Sequence, residues 1–282
     1  MSGRLFVVAT PIGNLSDVTL RALEVLRAVP LIAAEDTRLT HRLLARHGIA
    51  TRTISYHARS GPGRLAELLG HLRGGVDLAL VTDAGTPAVS DPGAGLVAAW
   101  SAEGGTVVPI PGASAVLAVV AASGIAGPRW AFEGFLPRSG RERRERLARI
   151  GADDRGTVIY EAPGRVAATL ADLAASGGPD RPGAIGRELT KVHEEILRGS
   201  LAELAERARS GGLTLRGEFA IVVGARPAPS RTVASRDADP AAALAEVERL
   251  VAAGTPRGDA ARQVAAATGI PRRRLYSAPP DR

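Results

Sequence analysis

The segment Leu80–Gly93, LVTDAGTPAVSDPG, contains the clearest indication of the fold class. It continues the apolar run Val76–Val81, VDLALV, whose length and flanking glycines predict a buried strand. It then places two turns, Asp83–Gly85 and Asp91–Gly93, close together, and this many glycines and prolines are incompatible with a helix. The stretch therefore predicts a rigid loop at the carboxyl end of a strand, which is where open α/β sheets bind ligands.

Strand-like and helix-like segments alternate on either side of this loop. The first predicted helix is Ser16–Ala28, with Ser16 or Asp17 as its cap, and another is predicted from about Asp91 to Glu103. Repeated alternation predicts a mainly parallel sheet with helices on both faces. Beyond residue 113 several strands follow one another directly, among them Gly183–Leu189, which predicts a second α/β domain with a mixed sheet.

The predicted fold class is therefore α/β, with a small helical segment at the C-terminus. We predict two α/β domains, residues 1–113 and 114–226, a linker over residues 227–240 and a helical domain over residues 241–282. The first two helical blocks end in glycine and the next ones open with Thr-Pro or Ile-Pro, a spacing that suits a helix-turn-helix. The last helix would start at Arg272, Arg273 and Arg274, where nucleic-acid contacts would lie. A helical cap that only protects a domain edge is the alternative.

Composition excludes several classes of protein. The 282 residues are 45% hydrophobic and 23% charged, which is typical of a globular chain. The longest weakly polar run, Ala113–Gly127, is too short and too rich in glycine to span a bilayer, and the amino terminus lacks a secretory signal, so a cytoplasmic protein without membrane contact is predicted. There is no cysteine, and the five histidines are scattered, so no metal site is expected.

The charge pattern favours an anionic partner. The net charge is +7, and every basic residue except Lys191 is arginine. The run FLPRSGRERRERLARI, Phe135–Ile150, concentrates arginines beside few acidic residues. We predict RNA contact there, through phosphates and RNA shape because aromatic residues are scarce. A solvated surface helix is the alternative. The candidate RNA-binding residues in this run are Arg138, Arg141 and Arg144, with Arg143, Arg146 and Arg149 beside them.

Three loops rich in glycine, proline and small hydroxyl residues would meet at the carboxyl ends of the first domain's strands. They are Thr10–Asp17, Thr82–Gly93 and Pro111–Ala115. None matches the G-x-G-x-x-G fingerprint for dinucleotides or the G-x-x-x-x-G-K-[ST] loop for phosphates. A neutral or cationic adenosyl compound therefore fits these loops better than a pyrophosphate does.

Seven motifs in order then carry a family resemblance over nearly the whole chain, from Leu5 to about Val223. They are VATPIGNLSDVTLRALEVL, AEDTR, VTDAGTPAVSDPG, PIPGASAVLAVVAASG, FEGFLPR, RELTKVHEEILRGSLAEL and GEFAIVV. Together they resemble the tetrapyrrole-methylase superfamily of S-adenosylmethionine enzymes, and within it the bacterial 16S rRNA (cytidine-2′-O)-methyltransferases. The resemblance implies a homodimer whose two α/β domains hold S-adenosylmethionine in the cleft between them. It also implies methylation of a cytidine ribose 2′-hydroxyl in the decoding region of the small ribosomal subunit.

The resemblance also implies which residues bind the cofactor. In the first domain the side chain that recognises the cofactor would be Asp83, and Gly85 would fix the conformation of its loop. Both domains would contribute to the pocket. The implied cofactor-binding residues are Ile12, Asp83, Gly85, Thr86, Ser114, Ala115, Tyr160 and Leu189.

Methyl transfer from a sulfonium group requires few catalytic functions of the protein. A sulfonium methyl group is already activated, so the enzyme must align the hydroxyl and help to remove its proton. The candidate catalytic residues are Asp36 of AEDTR, beside Glu35, and Glu188 with Lys191 of RELTK. As the sole lysine of the chain, Lys191 suggests that a compact ammonium group is required at that position.

Two departures from the family pattern affect the substrate side. His57 lacks the acidic and amide residues that usually follow it, and Gly164 stands where relatives often have histidine. Two alternative functions are a porphyrinoid methyltransferase, which leaves the arginine-rich run unexplained, and a non-catalytic nucleic-acid-binding protein, which leaves the three glycine-rich loops unexplained.

Overall fold

The computed structural model describes residues 2–226, 239–268 and 270–276, and the chain divides into two compact units, Met1–Arg226 and Pro227–Arg282. The predicted linker, 227–240, lies outside the described residues except for its last two positions.

The first half of the large unit is a five-stranded parallel sheet, as predicted. Its strands lie in the order β3-β2-β4-β1-β5, so β4, the strand that precedes the quoted loop, is central. All four residues of β4 are buried, because helices cover the sheet on both faces. The strands are β1 Arg4–Val8, β2 Leu31–Ala34, β3 Arg52–Ser55, β4 Leu78–Val81 and β5 Thr106–Ile110.

The helices of this half pack as two pairs. The first pair packs on the face that carries Ile32 and Val81, and the second pair packs on the face that carries Leu78 and Leu80. Successive side chains of a strand point to opposite faces, so one apolar run supplies both cores. The pairs are α1 Leu20–Ala28 with α2 Thr37–Arg46, and α3 Pro62–Arg73 with α4 Ala94–Ala102.

Three predicted element boundaries were wrong. Helix α1 begins after Thr19, whose hydroxyl accepts from the Ala22 N–H, because Leu15–Asp17 forms a separate 3-10 turn. Helix α4 begins after Gly93, because the φ of +125° at that glycine cannot belong to a helix. Strand β8, Pro182–Arg187, ends before Glu188, where the backbone turns left-handed with a φ of +50°.

The second half of the unit is a mixed sheet, as predicted. The strands lie in the order β6-β7-β10-β8-β9, with β6 and β7 parallel and the other neighbours antiparallel. Helix α5 packs on the face that carries Val158 and Val222, and helices α6 to α8 pack on the face that carries Ile159 and Ile221. The elements are α5 Ala115–Ser123, β6 Trp130–Phe135, α6 Gly140–Ala152, β7 Gly156–Glu161, α7 Val166–Gly177, β8, β9 Glu195–Ser200, α8 Leu201–Arg209 and β10 Phe219–Val223.

Three helices make up the described part of the small unit, α9 Pro240–Ala252, α10 Arg257–Thr268 and α11 Arg272–Tyr276. The side chain of Asp239 caps α9 by accepting from the Ala241 N–H. The three helices enclose a small core around Val247, Val264 and Leu275. The helical C-terminal segment of the predicted fold is thus present. The domain limits at residues 113 and 226 remain a prediction.

None of the helices in the described ranges has the length and apolar character needed to cross a membrane.

Candidate active site

A cavity of about 380 Å³ lies between the carboxyl ends of β1, β4 and β5 and one end of the inner strands β7, β8 and β10 of the second sheet. We call it the donor cavity. Every predicted cofactor-binding residue except Asp83 lines it, so the structure brings together loops that are far apart in the sequence. Those residues are Ile12, Gly85, Thr86, Ser114, Ala115, Tyr160 and Leu189.

The loop after β4, Thr82–Gly93, is held rigidly at this cavity. Thr10 and Gly85 exchange both backbone hydrogen bonds, at 2.9 and 3.0 Å, which join the loops after β1 and β4. Gly85 has a φ of +80°, a conformation that favours glycine. Ala88 and Ser90 also have positive φ, at 68° and 63°, although neither is glycine. Backbone strain of this kind persists only where the surrounding structure imposes it, and it is concentrated at functional sites.

Aromatic rings form the wall on the side of the second sheet. Tyr160 on β7 packs edge-on against Phe132, with ring centroids 4.9 Å apart, and its other neighbour, Phe135, is half exposed and also lines the cavity. Burial, with the nearby Asp91 carboxylate, raises the pKa of Tyr160 to about 12, so its hydroxyl stays protonated. This wall therefore offers flat apolar surface and one neutral hydroxyl.

Asp91 is a site residue that the sequence analysis treated only as part of a turn. Burial and the negative charge of Glu35 raise its pKa to about 6. It lines the donor cavity and makes no ion pair within the described residues. A half-buried, unpaired carboxylate in a largely apolar cavity fits a ligand that carries positive charge.

The RELTK segment is a strained turn that presents Lys191. The ammonium group of Lys191 donates to Glu188 at 2.9 Å and lies 3.2 Å from Glu218. Burial lowers the pKa of Lys191, but these two carboxylates outweigh burial, so the net pKa is raised. Lys191 is thus a cation at neutral pH and cannot serve as a general base. The pKa of Glu188 is lowered, chiefly by the hydrogen bond from Lys191, which makes it a weak base.

Gly217 leaves the space that the Glu188 carboxylate occupies. The Glu188 carboxylate accepts the Glu218 N–H at 2.9 Å, and a Cβ atom on Gly217 would lie 2.3 Å from its Oε1 atom. No side chain fits at residue 217 unless Glu188 moves. Glu218 was not among the predicted site residues, because its position directly before a strand does not by itself indicate a functional role.

A second cavity of about 350 Å³ adjoins the donor cavity. The two share Ile12, Ala84 and Glu218 as lining residues, and Lys191 lines the second one. The structure places Asp83 in this second cavity. One of its carboxylate oxygens accepts the Asp36 N–H at 2.9 Å. The pKa of Asp83 is raised, chiefly by burial.

Asp36 was predicted as a catalytic residue, but its carboxylate has a structural task. It caps α2 by accepting the Arg38 N–H at 2.8 Å, and it forms an ion pair with the Arg38 guanidinium at 2.6 Å. These bonds lower the pKa of Asp36 to about 2, and it lines neither cavity. The sequence could not separate the two roles, because an N-cap and a catalytic carboxylate both sit after a strand.

The arginine-rich run covers the last residue of β6, a short loop and most of α6. Arg138, Arg141 and Arg144 are exposed, and Arg141 forms an ion pair with Glu145 at 2.6 Å. Arg143 is not available for RNA contact, because it is buried and donates to Asp172 and to the hydroxyl of Thr169. The helix therefore exposes only part of the charge that its composition indicated.

In the small unit Arg272, Arg273 and Arg274 are exposed on α11. None of them takes part in an ion pair that the described residues form.

The two positions that depart from the family pattern are Gly164 and His57. Gly164 faces open space, so a side chain would fit there. His57 accepts the Arg59 N–H through Nδ1. Within the described residues no group of three histidine, aspartate or glutamate side chains is arranged to hold a metal ion.

Comparison with known proteins gives the family. The model of the tetrapyrrole (corrin/porphyrin) methylases matches residues 4–205. The chain is 45% identical over 275 residues to ribosomal RNA small subunit methyltransferase I of Synechocystis sp., covering 97% of this chain and 96% of that protein. It is also 45% identical over 275 residues to the protein of the same name from Micromonospora olivasterospora, covering 98% and 86%.

Solved structures share the fold over most of the chain. The chain is similar to a cobalt precorrin-4 methyltransferase, with a TM-score of 0.60 and 18% identity over 78% of this chain and 94% of that one. It is similar to the uroporphyrin-III C-methyltransferase of Thermus thermophilus in complex with S-adenosylhomocysteine, with a TM-score of 0.58 and 22% identity, covering 79% and 97%.

Proposed function

The chain belongs to the tetrapyrrole (corrin/porphyrin) methylase family, and we propose that it methylates the ribose 2′-hydroxyl of a cytidine in 16S ribosomal RNA, with S-adenosylmethionine as methyl donor. The observation that carries the proposal is the 45% identity over nearly the full length to two ribosomal RNA small subunit methyltransferases. The exposed arginines of α6 and α11 support an RNA substrate over a porphyrinoid one.

The residues of the donor cavity fit S-adenosylmethionine. Its small and aromatic lining residues suit the adenosine part, and the unpaired carboxylate of Asp91 suits a molecule that carries a sulfonium and an ammonium group. When bound, the cofactor supplies an activated methyl group, which bonds to the 2′-oxygen as the carbon–sulfur bond breaks and the hydroxyl proton leaves.

Lys191 is placed to act on the reacting oxygen. It lines the second cavity beside Glu218, which borders both cavities, so a hydroxyl at this boundary would meet a fixed cation. A preorganised cation stabilises the negative charge that develops on the oxygen as its proton leaves. The proton passes to Glu218, whose largely exposed carboxylate can release it to water. We further propose that the enzyme is a cytoplasmic homodimer.

Methylation of small ribosomal subunits tests the function. Purified 30S subunits from a strain that lacks the enzyme are incubated with the protein and methyl-labelled S-adenosylmethionine, and the RNA is mapped by mass spectrometry. One added methyl group on the ribose of a 16S cytidine supports the proposal. Methylation of a base, or of uroporphyrinogen alone, would refute it.

We expect S-adenosylmethionine to bind more weakly as the pH falls below about 6, because Asp91, with a pKa of about 6, loses its negative charge there. A cationic ligand favours the ionised carboxylate, so affinity should fall by about tenfold per pH unit below that pKa and level off above it. Calorimetric titrations from pH 5 to pH 8 measure this. In Asp91→Asn the dependence should be absent, and an identical dependence in that variant would remove Asp91 from the donor site.

Replacing Arg272, Arg273 and Arg274 together by alanine should weaken binding to 30S subunits and leave S-adenosylmethionine affinity unchanged. Each phosphate contact releases less than one counterion, so the slope of log affinity against log salt should become shallower by about two. The loss should be larger at low salt.

A charge-matched control replaces Arg4, Arg64 and Arg73, each of which is already ion-paired, at Asp77, Glu67 and Glu103. Equal slopes for this control and the α11 variant would show that net charge alone matters and that α11 is a structural cap.

A further inference from the structure

We propose that the second cavity is a nucleotide subsite that receives the target cytidine, with Asp83 reading the base and Arg42 holding a flanking phosphate. The inference rests on the proposed function. Ile12, Ala84 and Glu218 line both cavities, so a group in the second cavity can reach the donor cavity beside Glu218, whose carboxylate lies 3.2 Å from Lys191.

The lining of the second cavity suits one nucleoside. Leu15 and Leu39 are large apolar side chains left partly exposed at this site, and a flat base can pack against them. A base inside a folded RNA must leave its stack for an enzyme to reach its ribose in this way, and a pocket that covers the base offsets that cost.

Asp83 has the chemistry to recognise cytosine. One of its carboxylate oxygens is occupied by the Asp36 N–H, and no hydrogen bond within the described residues uses the other. A carboxylate accepts from the exocyclic amine of cytosine, whereas uracil has a carbonyl oxygen at that position and would be repelled. Asp83 therefore selects the acceptor base instead of binding the methyl donor.

Arg42 supplies the charge that a nucleotide requires. It is exposed on α2, lines the second cavity and forms no ion pair with any residue that the structure describes. Lys191, by contrast, is held by Glu188 and Glu218. The free guanidinium is thus available for a phosphate, which it can bind through two parallel hydrogen bonds.

The base-reading test compares wild type with Asp83→Asn, whose amide oxygen can still accept the Asp36 N–H. The substrates are 30S subunits with the mapped cytidine intact or replaced by uridine. We expect wild type to prefer cytidine in kcat/KM, and the variant to lose about tenfold of that preference. Binding of S-adenosylhomocysteine, measured by calorimetry, should not change. An unchanged preference, or a loss of S-adenosylhomocysteine affinity, would overturn the assignment of Asp83.

The phosphate test compares Arg42→Ala with Arg46→Ala, a matched variant one turn further along α2 that lines neither cavity. Only Arg42→Ala should raise the KM for 30S subunits, by about tenfold. Equal effects of the two variants would reduce Arg42 to general surface charge. If wild type methylates no ribosomal RNA, the proposed function fails; if it does so while both tests are negative, only the nucleotide subsite fails.

Discussion

Lys191→Met lowers kcat for methyl transfer to 30S subunits by about 10²–10³-fold, the expected cost of removing one preorganised group that stabilises an oxyanion. The affinity for S-adenosylhomocysteine should stay close to that of wild type, because Lys191 lines the second cavity and not the donor cavity. Methionine keeps the unbranched stem of the lysine side chain and removes the ammonium group, with its charge and its bonds to Glu188 and Glu218. Single-turnover methylation and calorimetry measure the two quantities on the same protein.

Lys191→Arg is the companion variant. It keeps the positive charge, but the planar guanidinium cannot replace a compact ammonium group between Glu188 and Glu218, so we expect partial activity between those of methionine and lysine. Equal losses of activity and of S-adenosylhomocysteine affinity in Lys191→Met would instead make Lys191 a cofactor-binding or structural residue.

Arg181→Met should lower the free energy of unfolding of the large unit by about 3–5 kcal/mol, the cost of leaving several buried polar groups without partners. Arg181 is 4% exposed, and its guanidinium donates to five backbone carbonyl groups and forms no ion pair within the described residues. Burial lowers its pKa, and repulsion by Arg226 adds to this. The carbonyl groups belong to Ile150, Gly151, Asp153, Arg155 and Gly224, at 2.9–3.5 Å.

The control for Arg181 is Arg226→Met. Arg226 is exposed and donates to the Gly151 carbonyl at 2.7 Å, so its loss should cost less than about 1 kcal/mol. Urea denaturation, followed by circular dichroism, gives both values. Similar small losses in the two variants would mean that water satisfies the carbonyl groups around residue 181.

The fold could be predicted because its strands carry an unambiguous pattern. The continuous apolar run that ends at Val81 has no period of two, which indicates burial on both faces and hence a parallel sheet. Boundaries were less predictable, because they depend on single backbone angles. Gly93 and Glu188 both have positive φ, and nothing local in the sequence identifies a glutamate that adopts this conformation.

The candidate site was predictable where a residue lies in a distinctive loop, as Gly85 and Ser114 do. It was not predictable where the role depends on the partner. Asp36 pairs with Arg38 two residues along the chain, whereas Asp91 forms no ion pair with any described residue, and in the sequence the two aspartates look alike. The two adjoining cavities depend on how the two sheets meet, which no local pattern encodes.

The parallel sheet of the first half has a consequence for how the chain folds. Strand β1 has no local partner, because its neighbours in the sheet are β4 and β5, and Arg4 pairs with Thr106. Pairings this distant in sequence make folding slow, since a long loop must close before any contact forms. During synthesis, residues 4–8 therefore wait for more than a hundred residues of chain to emerge before β5 can join them. Until β5 emerges, at least one edge of this apolar strand stays open, so we expect folding of the new chain to depend on chaperones that shield such strands.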